Sequence, residues 1–187
     1  MAAARIVFLG PPNSGKGTQA VSLAQDLSIP AISTGDMLRA AVAAGTELGQ
    51  RVEGVMARGE LVDDALMAEV VKDRLAQDDA QAGFLLDGYP RTESQAETLA
   101  GILDGTDSAL DHVVLIDAPE DILVARALGR GRVDDQEDVV RERLRQYAEK
   151  TEPLVAYYEA KGLLRRIDGD QTIEEVARAL RETLGVR

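Results

Sequence analysis

Nine residues near the start of the chain, Gly10-Pro11-Pro12-Asn13-Ser14-Gly15-Lys16-Gly17-Thr18, have the types and spacing of an anion cradle. Glycines let backbone N–H groups turn inward toward a negative charge. The spacing of Gly10, Gly15 and Lys16 matches a loop that binds nucleotide phosphates, with Lys16 long enough to reach the outer ones. A helix starting near Gly15 would aim the positive end of its dipole at the same point. Gly17 stands where the general motif has Ser or Thr, and the hydroxyl of Thr18 comes one place later. Direct metal ligation by the loop is therefore left open by the residues alone.

Further chemistry-bearing groups follow in two later turns, Thr34-Gly35-Asp36 and Asp87-Gly88-Tyr89-Pro90-Arg91. Arg39 and Arg91 fall where an acceptor anion would sit. Asp87 ends an apolar run, like an acid that holds magnesium or its waters; the alternative is a turn residue before Gly88. Arg126, Arg130, Arg132 and Arg143 flank a short polar loop and would reach bound phosphates if it closed, whereas Arg141 and Arg145 read as solvated surface charges. The single histidine, His112, reads as structural, and no Ser-His-Asp arrangement or metal cluster is visible. Phosphoryl transfer asks for alignment and positive charge. A phosphate acceptor is already anionic and needs no general base, which fits a site built of arginines.

The elements that must position these groups alternate between strand and helix. Apolar runs at 6–9, 83–87, 113–117 and 163–167 read as buried strands, with a shorter one at 29–32. Amphipathic stretches at 15–27, 92–103, 119–128, 136–161 and 172–184 read as helices. Thr172 and Glu175 are spaced as a capping box. This predicts an α/β fold, a parallel sheet with helices on both faces. Ligands then bind at the carboxyl ends of the strands, where the three polar turns converge. Residues 36–77 form a helical insert without strand signal, and 129–135 is a polar loop between two helices.

Composition bounds the partners. The net charge of −12 argues against nucleic acid or an anionic membrane as partner, so positive charge for a nucleotide must be gathered locally. Arginine outnumbers lysine 17 to 4. That count suits bidentate phosphate binding, or equally a genomic base bias, and position must decide. No cysteine is present, so no disulfide framework or thiolate zinc site is expected. With no signal-peptide pattern and no long apolar run, a soluble cytoplasmic protein is expected.

The motifs taken together resemble those of nucleoside monophosphate kinases, most closely the adenylate kinase family, nearly end to end. Lys16-Gly17-Thr18 agrees with that family's phosphate loop. Ser33-Thr34-Gly35-Asp36-Met37-Leu38-Arg39 resembles the entry to its monophosphate-binding part, and Gly59-Glu60-Leu61-Val62 the segment that lies on the monophosphate base. The run from Phe84 to Thr92 resembles its signature, with Tyr89 where Phe is commoner. Arg132-Val133-Asp134-Asp135 and Arg143 resemble the far end of its lid.

The resemblance implies a three-layer P-loop fold with a five-stranded parallel sheet. It divides the chain into a core (1–35, 78–128, 136–187), a monophosphate-binding insert (36–77) and a short lid (129–135). It implies magnesium-dependent, reversible phosphoryl transfer from ATP to AMP giving two ADP, by a monomer that binds no zinc. ATP would be bound by Asn13, Ser14, Gly15, Lys16, Gly17, Thr18, Arg130, Gly169 and Gln171. AMP would be bound by Thr34, Arg39, Glu60, Leu61, Val62, Gly88, Tyr89, Pro90, Arg91, Gln95, Arg132 and Arg143. Lys16, Arg91, Arg126, Arg130, Arg132 and Arg143 would be catalytic, and Asp87 would hold magnesium through water. Pyrimidine monophosphate kinases share most of these motifs, but Thr34 and Gln95 are of the adenylate type. Asn13 departs from the family, which has Gly at its place; Asn tolerates left-handed backbone better than most residues.

Overall fold

The computed structural model describes residues 4–106, 108–132 and 135–186. The expected strands are present as β1 (Arg5–Leu9), β2 (Ala31–Ser33), β3 (Phe84–Asp87), β4 (His112–Asp117) and β5 (Leu164–Asp168). They form one parallel sheet in the order β2-β3-β1-β4-β5. Strand β2 starts two residues later than its apolar run. Ser28 turns left-handed (φ 55°) to end the preceding helix, and the amide of Ile29 bonds back to the carbonyl of Ala24 at 3.0 Å. Pro30 then has no N–H to offer a sheet. The chain is therefore released into the ladder only at Ala31.

Side chains alternate across the sheet and divide the core in two. Val7, Leu9, Phe84, Leu86, Val113 and Leu115 face one layer. It is covered by α4 (Asp64–Leu75), α6 (Glu93–Asp104) and α9 (Pro153–Ala160). Ile6, Phe8, Leu85, Val114 and Ile116 face the other, covered by α1 (Lys16–Leu27) and α10 (Ile173–Leu184). Leu85, Leu86, Val113 and Val114 are wholly buried. Burying each such side chain stabilises the fold by about 1.5–3 kcal/mol. The capping box predicted at the start of α10 is formed by Thr172 and Glu175.

The insert region is helical as expected, with α2 (Thr34–Ala43) and α3 (Glu47–Ala57) followed by α4 and the single turn α5 (Asp78–Gln81). Ser33, Thr46 and Asp63 each cap the next helix through a side-chain oxygen. The stretch 136–161 is broken where a single helix was expected. Helix α8 (Glu137–Gln146) passes into a π turn at Tyr147–Thr151, and α9 starts with Pro153 at its first position. The apolar spacing runs on through the π turn, so periodicity alone does not reveal it. Helix α7 (Glu120–Arg130) ends on left-handed Gly131. Of the predicted lid, Val133 and Asp134 lie outside the described residues. No described helix is long and apolar enough to cross a membrane.

Candidate active site

The carboxyl ends of β1, β2 and β3 open onto one cleft of about 660 Å³. The loop after β1 is shaped by close backbone packing. Gly10 has φ +139°, and a Cβ there would collide with the carbonyl of Ile116. Asn13 (φ 70°) takes the left-handed conformation that its type tolerates. Helix α1 begins behind Gly15 with no side-chain cap and no acid in its first turn. By contrast, α2, α3, α4, α6 and α10 all have both. The first amides of α1 thus remain available to an anion, and nothing on their own helix competes with it.

Lys16 Nζ folds back over the loop and donates to the carbonyl oxygens of Gly10 and Pro11, both at 2.8 Å. Burial pushes its pKa down to about 8; Asp87 opposes the shift, and Arg91 and Arg130 add to it. The Asp87 carboxylate faces the start of α1, with Oδ2 3.7 Å from where a Cβ on Gly17 would lie. A Cβ at position 17 would therefore stand at ordinary contact distance from the acid.

The turn after β3 supplies Arg91. Gly88 has φ +87°, and a Cβ there would lie 2.6 Å from Thr34 Oγ1 and 3.2 Å from Arg91 Nη2. Thr34 donates to the carbonyl of Asp87 at 3.3 Å. Arg91 Nε donates to the carbonyl of Gly88 at 2.7 Å, and its own carbonyl accepts from Thr151 Oγ1 at 2.9 Å. The π turn therefore fixes the backbone that carries Arg91. Burial lowers the Arg91 pKa, as do Arg143 and Arg39, against the opposing charge of Asp87.

Arg39, Arg91, Arg126, Arg130, Arg132 and Arg143 all line the cleft. They concentrate positive charge in a molecule whose net charge is −12. Asp36 and Asp135 lie between them and offset their mutual repulsion. Asp36 accepts from Arg39 at 2.6 Å and lies 3.9 Å from Arg132. Asp135 accepts from Arg130 and from the Arg132 amide, and lies 3.7 Å from Arg143.

A smaller cavity of about 60 Å³ adjoins the cleft. Thr34, Glu60, Leu61, Val62 and Gln95 line it together with Arg39, Arg91 and Arg143. Pro90, Gly169 and Gln171 join the phosphate loop on the main cleft. The Gly169 amide donates to the carbonyl of Asp117 at 2.6 Å, and Gln171 donates to Asp168 at 3.1 Å. Among the residues predicted for the site, Tyr89 alone lines neither space, because its ring lies in the core, 1% exposed. Arg141 and Arg145 pair with Glu137 and Glu142 on α8 and with Glu149 in the π turn, as surface charges do. His112 starts β4, at the end of the sheet away from the cleft. No group of three or more His, Asp or Glu forms a metal site among the described residues.

Sequence reasoning assigned no role to Asp64, Asp135 or Thr151. Asp135 lies between arginines, a signal that was legible. Asp64 follows the helix cap Asp63 and looks like any first-turn acid.

The family model for adenylate kinase matches residues 8–163. An adenylate kinase of Thermus thermophilus is 50% identical over 185 residues, covering 97% of each chain. Adenylate kinase 1 of Synechocystis sp. is 49% identical over 172 residues, 92% of each chain. An adenylate kinase of Xylella fastidiosa is 46% identical over 185 residues, 97% of this chain and 99% of its own.

Proposed function

The chain belongs to the adenylate kinase family, and from that premise we propose how its residues carry out the phosphotransfer. The reaction moves the terminal phosphoryl group of ATP to AMP and back. The meeting of an uncapped helix start, Lys16, Asp87 and six arginines on one cleft carries the assignment.

ATP places its phosphates on the amides of residues 13–18. Lys16 exchanges the carbonyls of Gly10 and Pro11 for the outer phosphates. Gly169 and Gln171 flank the ATP base. AMP enters from the side of the small cavity: Arg39 and Arg91 take its phosphate, Leu61 and Val62 cover its base, and Gln95 contacts the base edge. Arg130, Arg132 and Arg143 surround the phosphoryl group in flight, with Arg126 behind them on α7. The acceptor is a phosphate anion, so no residue needs to abstract a proton. Catalysis rests on alignment and fixed positive charge.

The residues present fit a magnesium ion. Magnesium takes one or two carboxylates, substrate phosphates and several waters. Asp87 offers one carboxylate beside the loop, its Oδ2 3.7 Å from where a Cβ on Gly17 would lie. Asp87 would hold the ion through water, and the ion would neutralise charge on the donor phosphates.

Water competes with AMP, so closure must precede transfer. We assign closure over AMP to the insert 36–77 and closure over ATP to the loop 129–135. The net charge of −12 argues against nucleic acid or an anionic membrane as partner, and the family resemblance supports a cytoplasmic monomer whose partners are nucleotides. The test is phosphoryl transfer from Mg-ATP to AMP, dAMP, GMP, UMP and CMP, with a no-acceptor control. Rapid ADP formation with AMP and almost none without acceptor supports the assignment. Preference for a pyrimidine monophosphate overturns the base reading, and acceptor-independent ATP loss overturns the transfer role.

A further inference from the structure

Gln95 is held at both ends of its amide. Oε1 accepts from the backbone N–H of Arg91 at 2.7 Å, and Nε2 donates to Asp64 Oδ1 at 2.7 Å. The other oxygen of Asp64 accepts from the Thr92 hydroxyl at 3.0 Å, and Thr92 Oγ1 accepts in turn from the backbone N–H of Gln95 at 3.2 Å. A closed ring of hydrogen bonds thus joins the first turn of α4 to the first turn of α6. Gln95 is 2% exposed and lines the 60 Å³ cavity.

A primary amide has nearly the same shape when oxygen and nitrogen exchange places. Here both partners oppose that exchange. A backbone N–H only donates, so it requires the oxygen. A carboxylate oxygen only accepts, so it requires the N–H. After a flip, donor would meet donor and acceptor would meet acceptor. Each partner uses one hydrogen or one lone pair of the amide. One N–H and one lone pair remain for a ligand, in a fixed order.

We propose that Asp64 is a positioning residue that sets base preference by locking the Gln95 amide in the orientation adenine requires. The proposal rests on the reading of Gln95 as the residue at the base edge. Adenine presents the N6 amino donor beside the N1 acceptor, which the locked amide can meet with its oxygen and its N–H. Hypoxanthine and guanine present an O6 acceptor beside an N1–H donor, the reverse order, which only a flipped amide could meet. Asp64 is not needed to cap α4, because Asp63 already accepts from the amides of Ala65 and Leu66.

The experiment measures kcat and KM with Mg-ATP as donor and either AMP or inosine monophosphate as acceptor. It uses the wild-type chain, Asp64→Ala, Gln95→Ala and the double variant. Asp64→Ala should lower the AMP-over-inosine preference in kcat/KM several-fold, towards the ~10-fold scale of one lost two-point base contact, because the Arg91 N–H still holds Oε1. The change should lie in KM for the monophosphate, with KM for ATP unmoved. Gln95→Ala should lower the preference at least as far, since it removes the base contact itself, and Asp64→Ala should change nothing further in its background. Asp64→Ser, polar but too short to reach Nε2, should repeat the loss and serves if the alanine variant folds poorly. If Gln95→Ala lowers the preference while Asp64→Ala stays within about twofold of wild type, the lock is wrong. Equal losses for both acceptors would show a merely structural acid. An unchanged preference in Gln95→Ala would overturn the reading of Gln95 itself.

Discussion

Asp135 and Arg130 are joined by two hydrogen bonds, from Nε at 2.9 Å and Nη2 at 2.6 Å, and the carboxylate is 1% exposed. The guanidinium of Arg130 holds this carboxyl below the ordinary carboxylate range, and Arg143 adds to the effect. The pair's contribution to stability is therefore present at neutral pH and lost as pH falls through the lowered value. Asp135→Ala leaves Arg130 and Arg143 without the acid between them. We expect a loss of about 1–3 kcal/mol, the scale of hydrogen bonds between charged groups. Turnover should fall ~10²-fold as the arginines lose their preset positions. Urea unfolding and initial rates check both; a variant with wild-type turnover would show that Asp135 places nothing.

Lys16→Met should reduce turnover by ~10²–10³, the cost of one preorganised charge partner. The fold should survive, since the ammonium is bonded only to two loop carbonyls. A loss of about tenfold or less would remove Lys16 from the centre of the reaction.

The lowered Lys16 pKa, about 8 against an ordinary 10.5, predicts a pH dependence with a defined sign. As pH rises through 8 the free enzyme loses this charge, and ATP binding without metal should weaken. Between pH 8 and 10.5 the unfolded chain holds more of this proton than the native one, so this residue's contribution to stability rises across that window. Calorimetric titration with ATP at pH 7, 8 and 9 tests the first statement. The difference in unfolding free energy between wild type and Lys16→Met over the same range tests the second. A flat profile in both would mean the ammonium is not desolvated.

Arg91→Ala should cost turnover at least ~10²-fold, with a raised KM for AMP and little change in KM for ATP. Thr151→Val removes the hydroxyl that holds the Arg91 carbonyl and should give a weaker form of the same split. Equal effects on both substrates would place Arg91 outside the acceptor side.

Gly88→Ala forces a Cβ to 2.6 Å from Thr34 Oγ1 at a φ of +87°. Strain of this kind costs about 1–3 kcal/mol. Because Thr34 and Arg91 must both move, AMP binding should suffer before ATP binding does. Thermal unfolding together with the two KM values measures this.

The phosphate loop was legible because its function is local. Strand, turn, lysine and helix start lie within a few residues, and their backbone geometry follows from the types present. The parallel sheet was legible for a related reason, since its three inner strands, β1, β3 and β4, are buried on both faces and apolar nearly throughout. Asp64 and Thr151 were not legible. An acid beside a helix cap and a threonine in an amphipathic run look alike whether they face water or another segment, and only packing brings each to its partner across more than 25 residues. The π turn escaped because it shifts the helix without interrupting the apolar spacing. Tyr89 shows the reverse effect: it belongs to a motif whose neighbours face the cleft, but its own ring points into the core.

The strand order has a consequence for how the protein is made. Strand β1 is the first to leave the ribosome, yet both its neighbours, β3 and β4, are encoded far downstream. At about 5–20 residues per second, the ~110 residues between β1 and the end of β4 take roughly 5–20 s to appear. Throughout that interval Ile6, Val7, Phe8 and Leu9 have no second edge to pair with. Of the five strands, the central one thus waits longest during synthesis for the last of its partners, with its apolar side chains unpaired along one edge.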